Sequence, residues 1–106
     1  MSYKADINRL EIKKSILINT LSVFIPDDQF NSFTNKLKKL NTELYKFRAL
    51  QYLSNFTDHG IWNLYLKCRN NVNHLADICD SLNIKDIEVF RYELYKMYRD
   101  YLEQRS

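Results

Sequence analysis

Phe30, Phe33, Leu37, Leu40, Leu44 and Phe47 recur alternately three and four residues apart. That spacing puts all six on one side of an α-helix and scatters them over both faces of a strand. The seam predicts a long helix packed against other helices. It lasts under three heptads before Leu50 and Leu53 carry the face onward with a shift, so a bundle helix is expected rather than an extended coiled coil. One Gly and one Pro in 106 residues leave few tight turns. An all-β fold needs many such turns and a period-two alternation that this chain lacks.

The same rhythm recurs on either side. From Lys4 to Ile25, one stripe holds Ile7, Leu10, Leu17, Leu21 and Phe24, widened by Ile12, Ile16 and Val23. Pro26 ends that helix, and Asp27 or Asp28 offers an N-cap for the next. Asn55 to Gly60 reads as a turn, with His59 in an exposed loop. A third helix runs from Ile61 towards Leu82, with Ile61, Tyr65, Cys68, Val72, Leu75 or Ala76, and Cys79 inward. Its Asn-rich middle is a point where it kinks or splits. Asn83 and Asp86 resemble a capping arrangement for a fourth helix, whose seam is Ile87, Phe90, Leu94, Met97 and Tyr101, flanked by Tyr92, Tyr95 and Tyr98. Short connections make successive helices antiparallel neighbours. The expected architecture is all-α: a four-helix up-down antiparallel bundle forming a single domain over residues 1–106.

A net charge of +3 permits a nucleic-acid partner without requiring one. Lys36, Lys38, Lys39, Lys46 and Arg48 read as a solvated face of the second helix. Cys68 and Cys79, eleven residues apart, fall on one face of one helix, where they cannot bridge each other and line the core. No apolar run reaches the roughly 18 residues of a membrane span and no signal peptide opens the chain, so a cytoplasmic protein is expected. Two histidines fifteen residues apart make no zinc pattern, and one glycine cannot build a phosphate-binding loop. No cofactor or metal is expected.

One stretch breaks the helical logic. Arg69-Asn70-Asn71-Val72-Asn73-His74 places three Asn and a His, each costing roughly 0.5–0.7 kcal/mol against Ala in a helix interior, within an apolar rhythm. Such conflicts concentrate at functional sites. Arg offers a permanent charge and a planar fork suited to phosphate. His titrates near neutrality, where general acid–base catalysis works best. On a continuous helix Arg69 and His74 lie about 140° apart around the axis, flanking a groove edge. Asn70 and His74 share a face, so that the amide could fix the imidazole tautomer. Together they form a minimal kit for cleaving RNA without metal. The imidazole helps the ribose 2′-hydroxyl attack its own phosphate while the guanidinium stabilises charge on the phosphorus oxygens. DNA, lacking that hydroxyl, survives.

At these residues the chain resembles the HEPN superfamily, all-helical domains marked by Arg, a polar residue (often Asn), a few others and then His. Arg69-Asn70-x-Val72-x-His74 fits that signature. Trp62 lies seven residues before Arg69, as a tryptophan often does in the superfamily's toxin branch, and Asp86 to Phe90 opens a similar closing amphipathic helix. Asn73-His74 also looks like the motif of HEPN ribonucleases attached to type III CRISPR systems. The resemblance covers Trp62 to about Glu103. It departs at Ala76, where the toxins carry a tyrosine, and at Leu75, where Gly or Ala is frequent, so modification of that tyrosine is not carried over. The resemblance implies a homodimer with Arg69, Asn70 and His74 of both copies at one cleft. It implies metal-independent RNA cleavage to a 2′,3′-cyclic phosphate, in a toxin–antitoxin, abortive-infection or CRISPR-associated defence setting. A nucleotidyltransferase-type antitoxin or a CRISPR effector would be the partner.

Two alternatives stand beside it. Residues 75–94 support a helix-turn-helix DNA-binding regulator, with Ile78, Cys79, Leu82, Ile84 and Val89 as its apolar template and Asn83 at the left-handed turn. Lys85, Glu88 and Arg91 would then face the major groove, although Asp86 and Glu88 oppose phosphate approach. The third reading is a non-catalytic helical interaction or inhibitor protein.

Overall fold

The computed structural model describes residues 3–20 and 26–105. It contains five helices: α1 (Lys4–Thr20), α2 (Asp27–Leu53), α3 (Asp58–Asn70), α4 (Val72–Ser81) and α5 (Ile87–Arg105). The all-helical expectation is met among these residues. The count of four is not, because the third expected helix divides at Asn71. The expected end of the first helix, with Leu21, Val23 and Phe24, lies outside the described residues. No described helix is long and apolar enough to cross a membrane.

Helix α5 is the hub. It packs on α2, α3 and α4, while α1 packs on α2 and α3 on α4. Phe90 and Leu94 of α5 are enclosed in a core with Ala49 and Leu53 of α2, Leu64 and Cys68 of α3, and Leu75 and Cys79 of α4. A second, smaller cluster joins Ile7 and Leu10 of α1 to Leu44 of α2. The molecule is elongated, 55 × 28 × 24 Å with a radius of gyration of 16.6 Å, against about 13 Å for a compact chain of 100 residues. Helix α1 accordingly buries only Ile7 and Leu10. Ile12 and Ile16, expected to widen its buried stripe, stand exposed, as does Phe30 at the head of the α2 seam. Those positions share the apolar face, but the main core does not extend to them.

The ends of the helices follow local chemistry. Pro26 sits at the N-cap of α2, so Asp27 and Asp28 fall in its first turn rather than capping it, where their charge suits the positive end of the helix dipole. Thr57 Oγ1 accepts from the Gly60 N–H at 3.1 Å. That cap starts α3 at Asp58 and places His59 in the helix, not in a loop, with its ring 5.5 Å from that of Trp62. Helix α4 ends in a Schellman turn: the Ile84 N–H reaches the Cys79 carbonyl at 2.8 Å, and the Asn83 N–H reaches Asp80 at 3.1 Å. Asn83 takes a left-handed φ of 56°. Arg48 donates to the Asn83 carbonyl at 2.8 Å and to Glu11 at 3.3 Å. It ties α1 and α2 to this turn instead of lying on a solvated face. Asp86 Oδ1 accepts from the Glu88 N–H at 3.1 Å and opens α5.

Cys68 and Cys79 are free and buried, on two different helices rather than on one face of a single helix. Burial pushes the Cys68 thiol up, against the pull of Lys67. Burial, helped by Cys68, Asp80 and Asp86, pushes Cys79 from 9.0 to about 11.

Two predictions follow from this packing. Asn83→Gly should leave stability unchanged or raise it, whereas Asn83→Val should cost about 1–2 kcal/mol in urea unfolding, because a β-branched residue resists the left-handed conformation. Between pH 9 and about 11 the unfolded chain loses the Cys79 proton while the folded chain keeps it, so stability falls as pH rises through that window. Unfolding free energies measured across it should fall less steeply for Cys79→Ala than for wild type.

Candidate functional site

The Asn-rich stretch becomes a joint between two helices. Arg69 and Asn70 close α3, Asn71 leaves helical geometry at φ −144° and ψ 98°, and α4 begins at Val72. Asn71 ends one helix and caps the next: its side-chain oxygen accepts from the His74 N–H at 3.2 Å. Here the short polar side chain that weakens a helix interior serves as an N-cap. Val72, expected inward, is 59% exposed at this joint.

Arg69 and Asn70 are exposed and His74 is half-buried, while Leu75 directly behind it is sealed in the core. The wheel that set Arg69 and His74 140° apart no longer applies, because the backbone changes direction between them. Asn70 does not hold the imidazole; Asn71 holds the His74 backbone. Among the described residues neither the His74 ring nor the Asn70 amide makes a hydrogen bond, and Arg69 has no ion pair. All three groups are therefore left with open hydrogen-bonding capacity at one surface joint.

Arg69 also belongs to a second feature. A groove of about 470 Å³ between α3 and α5 is lined by Tyr65, Arg69, Glu88, Arg91, Tyr92 and Tyr95. Tyr65 and Arg69 are four apart on α3. Glu88, Arg91, Tyr92 and Tyr95 follow the i, i+3, i+4, i+7 pattern of one face of α5. Tyr65 is held by Tyr98, stacked at 3.9 Å and 13°, with Tyr95 6.2 Å away. Arg91 pairs with Glu88 at 2.8 Å, and Lys96 lies 4.8 Å from the Tyr92 ring centroid. His74 does not line this groove. In the sequence Arg69, Arg91 and the α5 tyrosines are separate features; only the pairing of α3 with α5 brings them together. Among the described residues no group of three His, Cys, Asp or Glu side chains is placed to hold a metal ion.

Chemically, the joint offers one imidazole and one guanidinium at the surface, and the groove offers two guanidinium groups, a carboxylate and three aromatic rings. Asn71→Ala should cost about 1 kcal/mol of stability by removing the cap. It should also speed amide exchange at His74 with little change at Ile84, a contrast read by hydrogen-exchange NMR.

Searches of protein-family models, curated proteins and solved structures find no match to this chain.

Proposed function

We propose that the protein is a metal-independent endoribonuclease of the HEPN kind, acting as a homodimer in which Arg69, Asn70 and His74 of both copies line one RNA-cleaving cleft. The observation that carries this reading is the helix break at Asn71, which leaves Arg69 and Asn70 exposed on one side of the joint and His74 half-buried on the other, all unspent on internal hydrogen bonds. At the joint one copy supplies a single imidazole, whereas RNA cleavage needs a base and an acid, and two-fold symmetry supplies both. His74 of one copy takes the proton of the 2′-hydroxyl as its oxygen bonds to phosphorus. His74 of the partner subunit returns a proton to the departing 5′-oxygen. Arg69 stabilises charge on the non-bridging oxygens. The products are a 2′,3′-cyclic phosphate and a 5′-hydroxyl.

On this reading α3 and α4 are one interrupted limb of a four-limb up-down bundle. The setting is cytoplasmic: toxin–antitoxin, abortive-infection or CRISPR-associated defence, with a nucleotidyltransferase-type antitoxin or a CRISPR effector as partner. A helix-turn-helix regulator is the second reading, favoured by the left-handed turn at Asn83 between α4 and α5. The Glu88–Arg91 pair weighs against it, because it places a carboxylate against Arg91, one of the residues that would face the major groove.

The test is cleavage of labelled RNA in EDTA. Wild type should cut RNA and spare DNA of the same sequence. His74→Ala and Arg69→Ala should each lose about 10²-fold or more, the typical contribution of a positioned acid–base group. Inert wild-type protein, a variant as active as wild type, or a strict monomer in sedimentation would overturn the reading. A shift of duplex DNA lost in Arg91→Ala would establish the regulator instead.

A further inference from the structure

We infer that the groove between α3 and α5 is a ribonucleotide subsite that holds one unit of a single-stranded RNA. The inference rests on the RNA reading above and shares Arg69 with it, but none of its other residues belongs to the cleaving joint.

The chemistry of the lining selects the ligand. Three tyrosines in one groove offer ring faces and edges, and a nucleobase is the ligand that stacks on them without regard to sequence. Tyr92 and Tyr95 remain 55% and 46% exposed although they are large aromatic groups. Tyr65 is already fixed by its stack on Tyr98, so one wall is ordered before any ligand arrives. Arg69, which lines the groove two residues before the helix break at Asn71, has no ion pair among the described residues and is available to a phosphate.

Glu88 gives the groove its selectivity. A carboxylate repels phosphate but accepts hydrogen bonds from a ribose 2′-hydroxyl, and the exposed Glu88 side chain lies 2.8 Å from Arg91. A guanidinium for phosphate, rings for a base and a carboxylate for a ribose hydroxyl match a ribonucleoside phosphate. The carboxylate is the group in this lining that separates a ribonucleotide from a deoxyribonucleotide. Arg69 is the one residue that the groove shares with the joint carrying His74.

The experiment measures binding of a fluorescent single-stranded oligoribonucleotide by anisotropy, using His74→Ala so that nothing is cut, with circular dichroism to verify each fold. The oligoribonucleotide should bind more tightly than the same sequence as DNA and more tightly than a ribonucleoside 5′-monophosphate. Tyr92→Ala added to His74→Ala should weaken RNA binding about tenfold. Glu88→Ala added instead should bring RNA and DNA affinities together. Unchanged binding in the Tyr92→Ala protein, or equal RNA and DNA affinity before Glu88 is altered, overturns the subsite. Affinity for the monophosphate equal to that for the strand overturns its assignment to RNA strands. The two readings fail separately. Tyr92-dependent RNA binding by wild type that cuts nothing sinks the nuclease and keeps the subsite. RNA cleavage with KM unchanged by Tyr92→Ala does the reverse.

Discussion

The burial of Phe90 and Leu94 holds the other helices to one another. Both side chains are enclosed among residues from α2, α3 and α4, and α5 is the helix on which all three pack. Burying such a side chain stabilises a fold by about 1.5–3 kcal/mol, and here two of them, one helical turn apart, fix three partner helices together. Tyr52 closes over Phe90 at 6.1 Å between ring centroids. With α3 pressed on α5 by this core, Tyr65 and Arg69 are bound to lie opposite Arg91 and Tyr95. The groove is thus a consequence of the hub, made from the rims of the faces whose centres are buried.

Helix α4 presents the opposite problem. Ten residues are too few for a helix to persist alone, so it depends on its ends and on one buried face. Asn71 satisfies a donor at its start, the Schellman turn satisfies carbonyls at its finish, and Leu75, Ile78 and Cys79 fill the core between. Arg48 fastens the finishing turn to α2 and, through Glu11, to α1. Asparagine appears at both boundaries for different reasons: at Asn71 for its side-chain acceptor, at Asn83 for its tolerance of positive φ. A segment of poor helix propensity is thereby turned into a fixed joint, and His74 takes its position from that joint.

Part of this fold is legible in the sequence, and part depends on contacts between distant residues. Phe33, Leu44, Leu53, Phe90 and Leu94 announced themselves because helical period alone decides which side of a helix they occupy. The same period misplaced Phe30, Ile12 and Ile16: it identifies a shared face but does not reveal whether another element reaches far enough to cover it. Val72 and the two cysteines were read on the premise of one continuous helix, and Asn71 removes that premise. Asn70 and His74 stand out because they oppose local propensity, and Arg69 because it puts a phosphate-binding fork beside them. The groove left no local signal, since Arg69 and Tyr92 meet only through the packing of α3 on α5.

Stability explains part of what lines that groove. A cation in the last turn of α3 is favoured by the helix dipole, and Lys67 or Arg69 alike satisfies it. The Glu88–Arg91 pair, three residues apart and solvent-exposed on one helix, is worth about 0.5 kcal/mol or less. A pair so weakly held can rearrange around a ligand at little cost. What stability does not explain is Tyr92 and Tyr95: their exposed surface gains the fold little, and a charged or small residue at either position would keep the helix equally well. Aromatic area left open beside two guanidinium groups adds nothing to the core, and this surplus is what supports the proposed nucleotide subsite.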